Sequence, residues 1–268
     1  MKGSFVILLL LMLSACVPED RMIMREQASL ETRQPKGSLF VSSSFWEIAR
    51  AVENNAPQPG EAIFRKGRIQ FSTQKVLRVY DFEYDRISAQ SWSFLLFEKN
   101  SKNRVFSLHR NHLGLTLQDL QDQLFEQSYE DDVWKKLEAH PWFDSLKSVL
   151  STMESPRFSP ELDWHEEADG LMYYILTRIE QNSEPKDAIK HQIYLHKKGR
   201  TLNRHIKAKL HVGIVEDIRY SDFMGVGTSY LPHKVMLEFP KMMKRVDINI
   251  SETLIRSVPK TGSALKEF

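Results

Sequence analysis

The pattern of hydrophobic and polar positions begins, near Ser44, with the spacing of an amphipathic helix. Ser44 and Glu47 form a capping-box pair, in which each side chain bonds a backbone N–H of the first turn. Apolar residues then recur three and four positions apart, at Phe45, Ile48, Ala49 and Val52. Pro57 and the Pro59-Gly60 pair stop this pattern, which predicts a short helix with one buried face.

Between Glu61 and His109 the period shortens to about two residues, which is typical of strands. β-branched and aromatic residues fill two runs that are separated by the polar Ser72-Thr73-Gln74 segment. A third run, from Trp92 to Phe97, is apolar on both faces and predicts that both sides of the sheet are covered there. Residues 100–103 turn the chain into a fourth strand, so this region predicts a meander of four strands.

Residues 115–153 return to helical spacing. Thr116 is a candidate cap for a helix that contains Leu117, Leu120 and Leu124. A second helical piece is expected to begin at Asp131, and a third to follow Pro141. The apolar stripe of this third helix is wide enough to pack against a sheet and comprises Trp142, Leu146, Val149, Leu150 and Met153.

After Gly170 the strand pattern resumes. Six strands are predicted, at 171–181, 191–197, 201–209, 214–220, 231–239 and 245–250. Glycines at 199, 225 and 227 supply the backbone conformations that tight hairpin turns require. The whole order predicts an α+β fold, in which a few α-helices cover an open, strongly curved antiparallel β half-barrel of about ten strands.

The N-terminus carries a targeting segment. A basic residue precedes an apolar run from Phe5 to Leu13, which is much shorter than the roughly 20 residues that span a bilayer. The small residues Ser14 and Ala15 stand directly before Cys16. The Leu13-Ser14-Ala15-Cys16 sequence resembles the lipobox of bacterial lipoproteins, and this resemblance implies cleavage before Cys16 and acylation of that residue. An ordinary secretory signal and an uncleaved anchor are the alternatives.

This interpretation divides the chain into a signal peptide (1–15), an acylated Cys16 with a flexible tether (16–38), one half-barrel domain (39–255) and a C-terminal tail (256–268). The tether mixes charge, proline and glycine without a sustained period, as flexible spacers do. Acyl chains on Cys16 would hold the protein on a membrane. Val17 stands where lipoproteins retained in the inner membrane of enteric bacteria usually carry Asp. We therefore expect the protein in the cell envelope, at the outer membrane and facing the periplasm.

Composition narrows the function classes. Of 268 residues, 41% are hydrophobic and 27% are charged, with 37 Lys and Arg against 35 Asp and Glu. This balance is that of a globular chain and leaves no basic surplus for a phosphate backbone, so nucleic acid is not an expected partner. The single cysteine, Cys16, excludes an internal disulfide framework and any multi-cysteine zinc site. The oligomeric state is left open.

Three segments near the C-terminus resemble a known family. They are Gln192–Leu195, Ile218–Phe223 with its Tyr-Ser-Asp-Phe sequence, and Tyr230–Val235 with a Leu-Pro pair at the start of a strand. The stretch from 190 to 250 is similar to the superfamily of periplasmic lipoprotein carriers and outer-membrane lipoprotein receptors of the Lol pathway. The resemblance implies a half-barrel wrapped over helices, with an apolar cavity that holds the acyl chains of a lipid or lipoprotein.

Strand parity places a set of apolar residues on one concave face of the predicted sheet. These candidates for lining an acyl-chain cavity are Ile218, Tyr220, Val235, Leu237, Phe239, Val246, Ile248 and Ile250. The same pattern also fits a face that is filled by side chains, because apolar strand faces belong to a core more often than to a ligand site. An open cavity and a closed core are therefore both compatible with the sequence.

The sequence contains no recognisable catalytic motif. G-x-S-x-G, H-E-x-x-H and glycine-rich phosphate-loop patterns are missing, so we expect no catalytic residue, no metal and no cofactor. His191 and His196 have opposite parity on one strand, which disfavours joint metal ligation. Three hypotheses follow: a lipid- or lipoprotein-binding protein with a role in envelope trafficking, a non-enzymatic interaction or structural lipoprotein with a closed core, and a hydrolase with an unrecognised site.

Overall fold

The structure is a computed structural model that describes residues 43–58, 60–119, 124–128, 130–154, 165–167, 172–180, 188–209 and 211–257. The signal peptide (1–15) and the tether (16–38) with its Cys16 lie outside the described residues, as does most of the expected tail (256–268). These assignments stay predictions. Within the described ranges, no helix is both long enough and apolar enough to cross a membrane.

Three α-helices and thirteen strands make up the described part of the chain. The helices are α1 (Ser43–Asn54), α2 (Glu130–Ala139) and α3 (Leu146–Met153). The first six strands are β1 (Glu61–Thr73), β2 (Leu77–Ser88), β3 (Ser91–Glu98), β4 (Arg104–Asn111), β5 (Gly114–Asp119) and β6 (Leu124–Ser128). The strands after α3 are β7 (His165–Glu167), β8 (Tyr173–Glu180), β9 (Ile189–His196), β10 (Thr201–Lys209), β11 (Gly213–Val226), β12 (Ser229–Phe239) and β13 (Lys244–Ser257).

All of these strands belong to one sheet with the order β6-β5-β4-β3-β2-β1-β13-β12-β11-β10-β9-β8-β7. Each half is therefore an antiparallel meander, and the halves join where β1 pairs with β13, with Ile69 opposite Ile248. In the part of the chain that the structure describes, the edge strands β6 and β7 do not pair with each other, so the sheet stays open. The prediction of an α+β fold with an open antiparallel half-barrel is confirmed.

The alternation of apolar and polar residues along each strand decides which face of the sheet is buried. In β2, Tyr80, Phe82 and Tyr84 are buried, whereas the intervening Asp81 and Glu83 are only partly so. Successive strand residues point to opposite faces, so this pattern makes one face apolar and the other polar. We call the face that carries Tyr80, Phe82 and Tyr84 the inner face.

Helices α2 and α3 cover the inner face of β1–β5 and β11–β13 and close a large core with it. Phe143, in the turn before α3, packs against Phe71 and Phe106 with ring-centroid distances of 6.1 and 4.5 Å. Lys244 of β13 holds the same turn, because its buried ammonium group donates to the Trp142 carbonyl at 3.0 Å and to the Asp144 carboxylate. Apolar packing and one buried polar contact thus fix the helices on the sheet.

Helix α1 covers a different part of the inner face. Its residues Ala49 and Val52 pack against β8–β10 in a second, smaller cluster with Leu176, Ile193, Leu195 and Leu202. The C-terminal end of α1 is tied to the sheet, since the Asn55 carbonyl accepts from the Tyr230 N–H at 2.7 Å and the Asn55 amide donates to the Arg200 carbonyl at 3.3 Å. The helix and its buried face agree with the prediction from residue spacing.

Two predictions about residues 115–153 are wrong. Strands β5 and β6 stand where a helix with Leu117, Leu120 and Leu124 was expected, because Leu115 and Leu117 alternate with polar residues and Gly114 (φ 136°) folds β5 back onto β4. Trp142 lies in a turn, so α3 begins at Leu146 rather than directly after Pro141. The described sheet has three strands more than the ten expected, and these are β5, β6 and β7.

Candidate functional site

A cavity of about 340 Å³ lies between α1, the end of α3, and the inner face of β1 and β8–β12. Its volume falls within the roughly 300–1,000 Å³ that is typical of small-molecule sites. Residues from both apolar clusters line it, among them Val52 and Ile193 of the small cluster and Ile218 of the large core. The cavity therefore lies at the boundary between the two packed regions.

The sheet beneath the cavity changes from charged to apolar along the strands. Cross-strand register gives a charged row across β8–β11, consisting of Arg178, His191, Lys207 and Glu216. The next row on the same face is mixed and contains Leu176, Ile193, His205 and Ile218. A third row is apolar and contains Tyr174, Leu195 and Leu202. One end of the cavity is thus suited to polar groups, and at the other end Val52, Leu202 and Leu231 supply apolar surface beside Asn55, Arg200 and Thr201.

Two histidines connect β9 and β10 at the charged end. His191 Nδ1 lies 3.1 Å from His205 Nε2, and His191 Nε2 lies 3.0 Å from Oε2 of Glu180. Burial lowers the pKa of His205 to about 3 and also lowers the pKa of His191, so both rings are neutral near pH 7. Because a carboxylate can only accept, His191 donates to Glu180 through Nε2 and accepts from His205 through Nδ1.

Two cations at the charged end are paired with acids. Lys207 Nζ donates to Oε2 of Glu216 at 2.7 Å, and Arg178 Nη2 donates to Oε2 of Glu180 at 2.9 Å. Each pair places opposite charges in direct contact, which offsets much of the desolvation of the separate ions. This end of the cavity is polar, and each of its two cations contacts an acid of the protein.

Arg65 differs from these residues because it is buried without such compensation. It lies on the inner face of β1, directly opposite Tyr84 of β2, and is 1% exposed. Its Nε and Nη1 atoms have no hydrogen-bond partner among the residues that the structure describes. Burial lowers the pKa of Arg65 to about 10, against the opposing effect of Tyr84 and Tyr220, so its guanidinium remains charged at neutral pH.

The eight candidate cavity residues from the sequence share the inner face. Ile218 lies opposite Leu237, and Leu237 lies opposite Val246. Of the eight, Ile218 and Tyr220 line the cavity. The other six are packed in the large core, and they are Val235, Leu237, Phe239, Val246, Ile248 and Ile250. The structure thus brings the set together on one face but places only part of it at the cavity.

Two residues of the cavity are not indicated by the motifs in the sequence. Arg65 does have a local signal, because it shares the parity of the buried Ile63 and Ile69 and so falls on the inner face of β1. His205 has no comparable signal. Its contact with His191 depends on the pairing of β9 with β10, where the register shifts between Leu202 and Arg204.

A second, more open groove of about 560 Å³ lies on the outer face of β13, β1 and β2. Arg68 and Asp81 pair across it at 3.2 Å, and Phe82, Phe97 and Ile250 are among its lining residues. The strands approach closely at Gly67, where a Cβ atom would lie 2.0 Å from the carbonyl oxygen of Asn249. No described helix covers this groove, whereas α1 and the end of α3 cover the inner cavity, which is therefore the stronger candidate site.

Within the described ranges, no group of three or more His, Cys, Asp or Glu side chains is placed to hold a metal ion. His191 contacts His205 and Glu180, as described above. His196 instead accepts a hydrogen bond from the Gly199 N–H at 2.7 Å, in the turn between β9 and β10. The two histidines of β9 therefore serve separate local contacts.

Comparison with known proteins concerns the fold. No family model matches the chain, and no curated protein matches it in sequence. A LolA superfamily protein from Nitrosomonas europaea matches in structure at 10% identity and a TM-score of 0.54, over 80% of this chain and 94% of that one. A domain described as an outer-membrane lipoprotein-sorting protein, from Vibrio parahaemolyticus, matches at 10% identity and a TM-score of 0.52, over 81% and 92% of the two chains.

A third solved structure, a DUF1329 family protein from Desulfovibrio piger, matches at 10% identity and a TM-score of 0.53, over 78% of this chain and 90% of that one. Similarity at this level of identity concerns architecture and does not transfer an activity. The fold that the Lol-type resemblance implied is confirmed. The chain has the open half-barrel fold that is also found in the LolA superfamily protein and in the lipoprotein-sorting domain.

Proposed function

We propose that this is a lipid-anchored envelope protein that binds an acyl chain of a lipid or lipoprotein in the inner cavity, with a role in envelope lipid or lipoprotein trafficking. The observation that carries the proposal is the cavity of about 340 Å³ beneath α1, with its apolar end, beside a large packed core. The fold shared with a LolA superfamily protein and a lipoprotein-sorting domain supports a ligand of this class. No catalytic step is part of the proposal.

The apolar end of the cavity would supply most of the binding free energy. Val52 of α1, Leu202 of β10 and Leu231 of β12 line this part of the cavity. Each methylene transferred from water contributes roughly 0.8 kcal/mol. A buried segment of about six methylenes would therefore gain about 5 kcal/mol before the entropy of ordering the chain is subtracted.

Lipid that copurifies with the protein tests this proposal. Leu202→Trp would fill the apolar end of the cavity, whereas Met224→Trp changes an exposed residue of β11 and is the matched control. Full-length protein is purified from cell envelopes and analysed by native mass spectrometry. We expect wild type and Met224→Trp to carry a non-covalent acyl lipid, and Leu202→Trp to lose it while keeping its circular dichroism spectrum. Wild-type protein without any non-covalent lipid would contradict the proposal.

We further propose that Cys16 is acylated after residues 1–15 are removed, and that residues 16–38 tether the domain to the outer membrane on its periplasmic side. The lipobox-like Leu13-Ser14-Ala15-Cys16 sequence supports this arrangement. Cys16→Ser is expected to abolish the incorporation of labelled fatty acid and to leave the precursor uncleaved or mislocalised. Labelling of the Cys16→Ser protein at the wild-type level would refute the assignment.

The large core supports a second candidate function. Six of the eight candidate residues pack there rather than at the cavity, so an interaction or structural lipoprotein could use this fold without a ligand. The lipid analysis separates the two candidates. A wild-type protein that is folded and envelope-associated but carries no lipid would favour the interaction lipoprotein.

A further inference from the structure

The buried guanidinium of Arg65 has hydrogen-bond donors without acceptors among the described residues. Arg65 lines the inner cavity and is 1% exposed, and its Nε and Nη1 carry three N–H groups that lack acceptors among the described residues. Buried polar groups in native proteins are almost always hydrogen-bonded, and an uncompensated buried charge is strongly unfavourable. A bound ligand could therefore supply the hydrogen-bond acceptors that the guanidinium lacks among the described residues.

The surroundings of Arg65 contain further hydrogen-bond donors. Tyr84 and Tyr220 lie close enough to interact electrostatically with its charge. Burial raises the pKa of both phenols, so each keeps its proton and can donate a hydrogen bond. The acid that lines the cavity, Glu154, is exposed at the end of α3 and forms no hydrogen bond with Nε or Nη1 of Arg65. This group of side chains suits an anion.

The other basic side chains of the cavity differ from Arg65, because each either contacts an acid or is exposed to solvent. Lys207 contacts Glu216, and Arg178 contacts Glu180, so acids of the protein already meet these charges. Arg200 also lines the cavity but is exposed to solvent, where water screens its charge. Arg65 is thus the basic group of this cavity for which the described residues supply no acid.

We propose that Arg65 is the anion-binding centre of the cavity, and that the ligand is a single-chain amphiphile whose head is an oxyanion, a carboxylate or a phosphate. The inference rests on the proposed function for the apolar part of the ligand. Guanidinium groups bind both head types through charge-assisted hydrogen bonds. The head lies against Arg65 and Tyr220, which both line the cavity, and the chain extends towards Val52 and Leu202.

Matched probes that differ only in the head group test the proposal. Full-length protein in a non-ionic detergent is titrated calorimetrically with dodecanoate, with dodecanol and with inorganic phosphate. We expect wild type to bind dodecanoate roughly ten to a hundred times more tightly than dodecanol, the range of a hydrogen bond to a charged group in a dry site. Equal affinities for the acid and the alcohol would overturn the anion centre, and this comparison needs no variant.

Arg65→Met is the matching variant, because it keeps an unbranched, apolar stem, although a shorter one, and removes the charge. We expect it to bind dodecanoate and dodecanol equally and to melt at or above the wild-type temperature, since replacing an uncompensated buried charge with an apolar group does not destabilise a core. Arg68→Met, on the outer face of the same strand, is the control and should keep the preference for the acid. A preference that persists in Arg65→Met would refute the role of Arg65.

Failure of this inference and failure of the proposed function give different results. Binding of dodecanol and dodecanoate with equal affinity would remove the anion centre and leave the acyl-chain proposal standing. If neither amphiphile binds, the acyl-chain proposal fails, and inorganic phosphate then decides the anion centre. Phosphate binding that is lost in Arg65→Met would support a site for a free oxyanion, whereas no phosphate binding would overturn it.

Discussion

The inner face of the sheet is filled in two different ways. Over β1–β5 and β11–β13, two helices and a set of aromatic side chains leave a closed core, in which Phe94, Leu108 and Leu237 are fully buried. Over β8–β10, α1 alone among the described helices contributes to a small apolar cluster, and charged residues lie beside this cluster on the same face. The two parts of the half-barrel therefore differ. The closed core stabilises the fold, and the boundary between this core and the region under α1 has room for a ligand.

Because of this difference, the residues that stabilise the fold are mostly not the residues that would bind a ligand. Extensive burial of apolar side chains gives the closed core most of its stabilising free energy. The cavity side carries partly compensated charges and the uncompensated Arg65, features that reduce stability and are retained where a ligand site needs them. Substitutions in the two regions should consequently have different effects on stability and on ligand binding.

Leu237→Glu should affect the closed core most severely. Leu237 has no exposed surface, so the new carboxylate would lie unpaired among apolar neighbours and cost several kcal/mol, a large part of the roughly 5–15 kcal/mol that stabilises a typical domain. We expect the variant to unfold or fail to accumulate, as judged by circular dichroism and yield. Met224→Glu, at an exposed position of β11, should fold normally. A folded Leu237→Glu protein that has lost only its lipid would place the ligand in the core instead.

Lys244→Ala should loosen the helices on the closed core. Burial lowers the pKa of Lys244 and the contact with Asp144 opposes that effect, so the ammonium group is held by its partners. Removing it leaves Asp144 and the Trp142 carbonyl without their donor, and we expect a loss of about 3 kcal/mol in urea denaturation. Lys241→Ala, at an exposed site nearby, should change stability little. Equal stability of the two variants would show that the buried contact does not hold the turn.

Gly67→Ala tests the junction of the two halves of the sheet, where β1 meets β13. A Cβ atom at Gly67 would lie 2.0 Å from the Asn249 carbonyl oxygen, so the backbones would have to separate. The expected loss is about 1–3 kcal/mol, the usual range for overpacking, measured as a lower melting temperature. Gly225→Ala is the matched control, because no atom lies within 4 Å of its Cβ position. Similar melting temperatures for both variants would rule out a tight approach at Gly67.

His205 should make the stability of the protein fall at acidic pH. Its pKa is about 3 in the folded protein and near 6.5 in an unfolded chain, so below pH 6.5 the unfolded state binds a proton that the native state does not. Stability from this group is complete above about pH 6.5 and falls towards pH 3, by at most about 1.4 kcal/mol per pH unit. His205→Gln should flatten this dependence, and exposed His112→Gln should not. An unchanged pH profile for His205→Gln would refute the assignment.

The sequence predicts the regular parts of the fold well. The positions of α1, β1–β4 and β8–β13 follow from local alternation, because each element buries one face against its immediate neighbours. Residues 114–128 are different, since Leu117, Leu120 and Leu124 fit a helical spacing while Leu115 and Leu117 also fit a strand. The pairing of this segment with β4 favours the strand over the helix, and the spacing of residues within the segment does not reveal that pairing.

The candidate site is less predictable than the fold. Parity correctly groups the inner-face residues, but whether that face is filled depends on where α2 and α3 pack, which no strand pattern encodes. Arg65 is indicated by its parity alone, and the absence of an acid beside it among the described residues becomes visible only when its neighbours on β2 and β11 are known. The contact between His191 and His205 likewise arises from a register shift in β10.

An acyl chain is expected to bind at the boundary of the two regions and not within the closed core. Photo-crosslinking with a diazirine-labelled fatty acid, followed by peptide mapping, tests this location directly. We expect the label on peptides that carry the cavity residues Val52, Leu202 or Leu231, with unlabelled fatty acid as competitor. Competable label on β2–β4 peptides that contain Phe82 or Phe94, or no competable label anywhere, would contradict it.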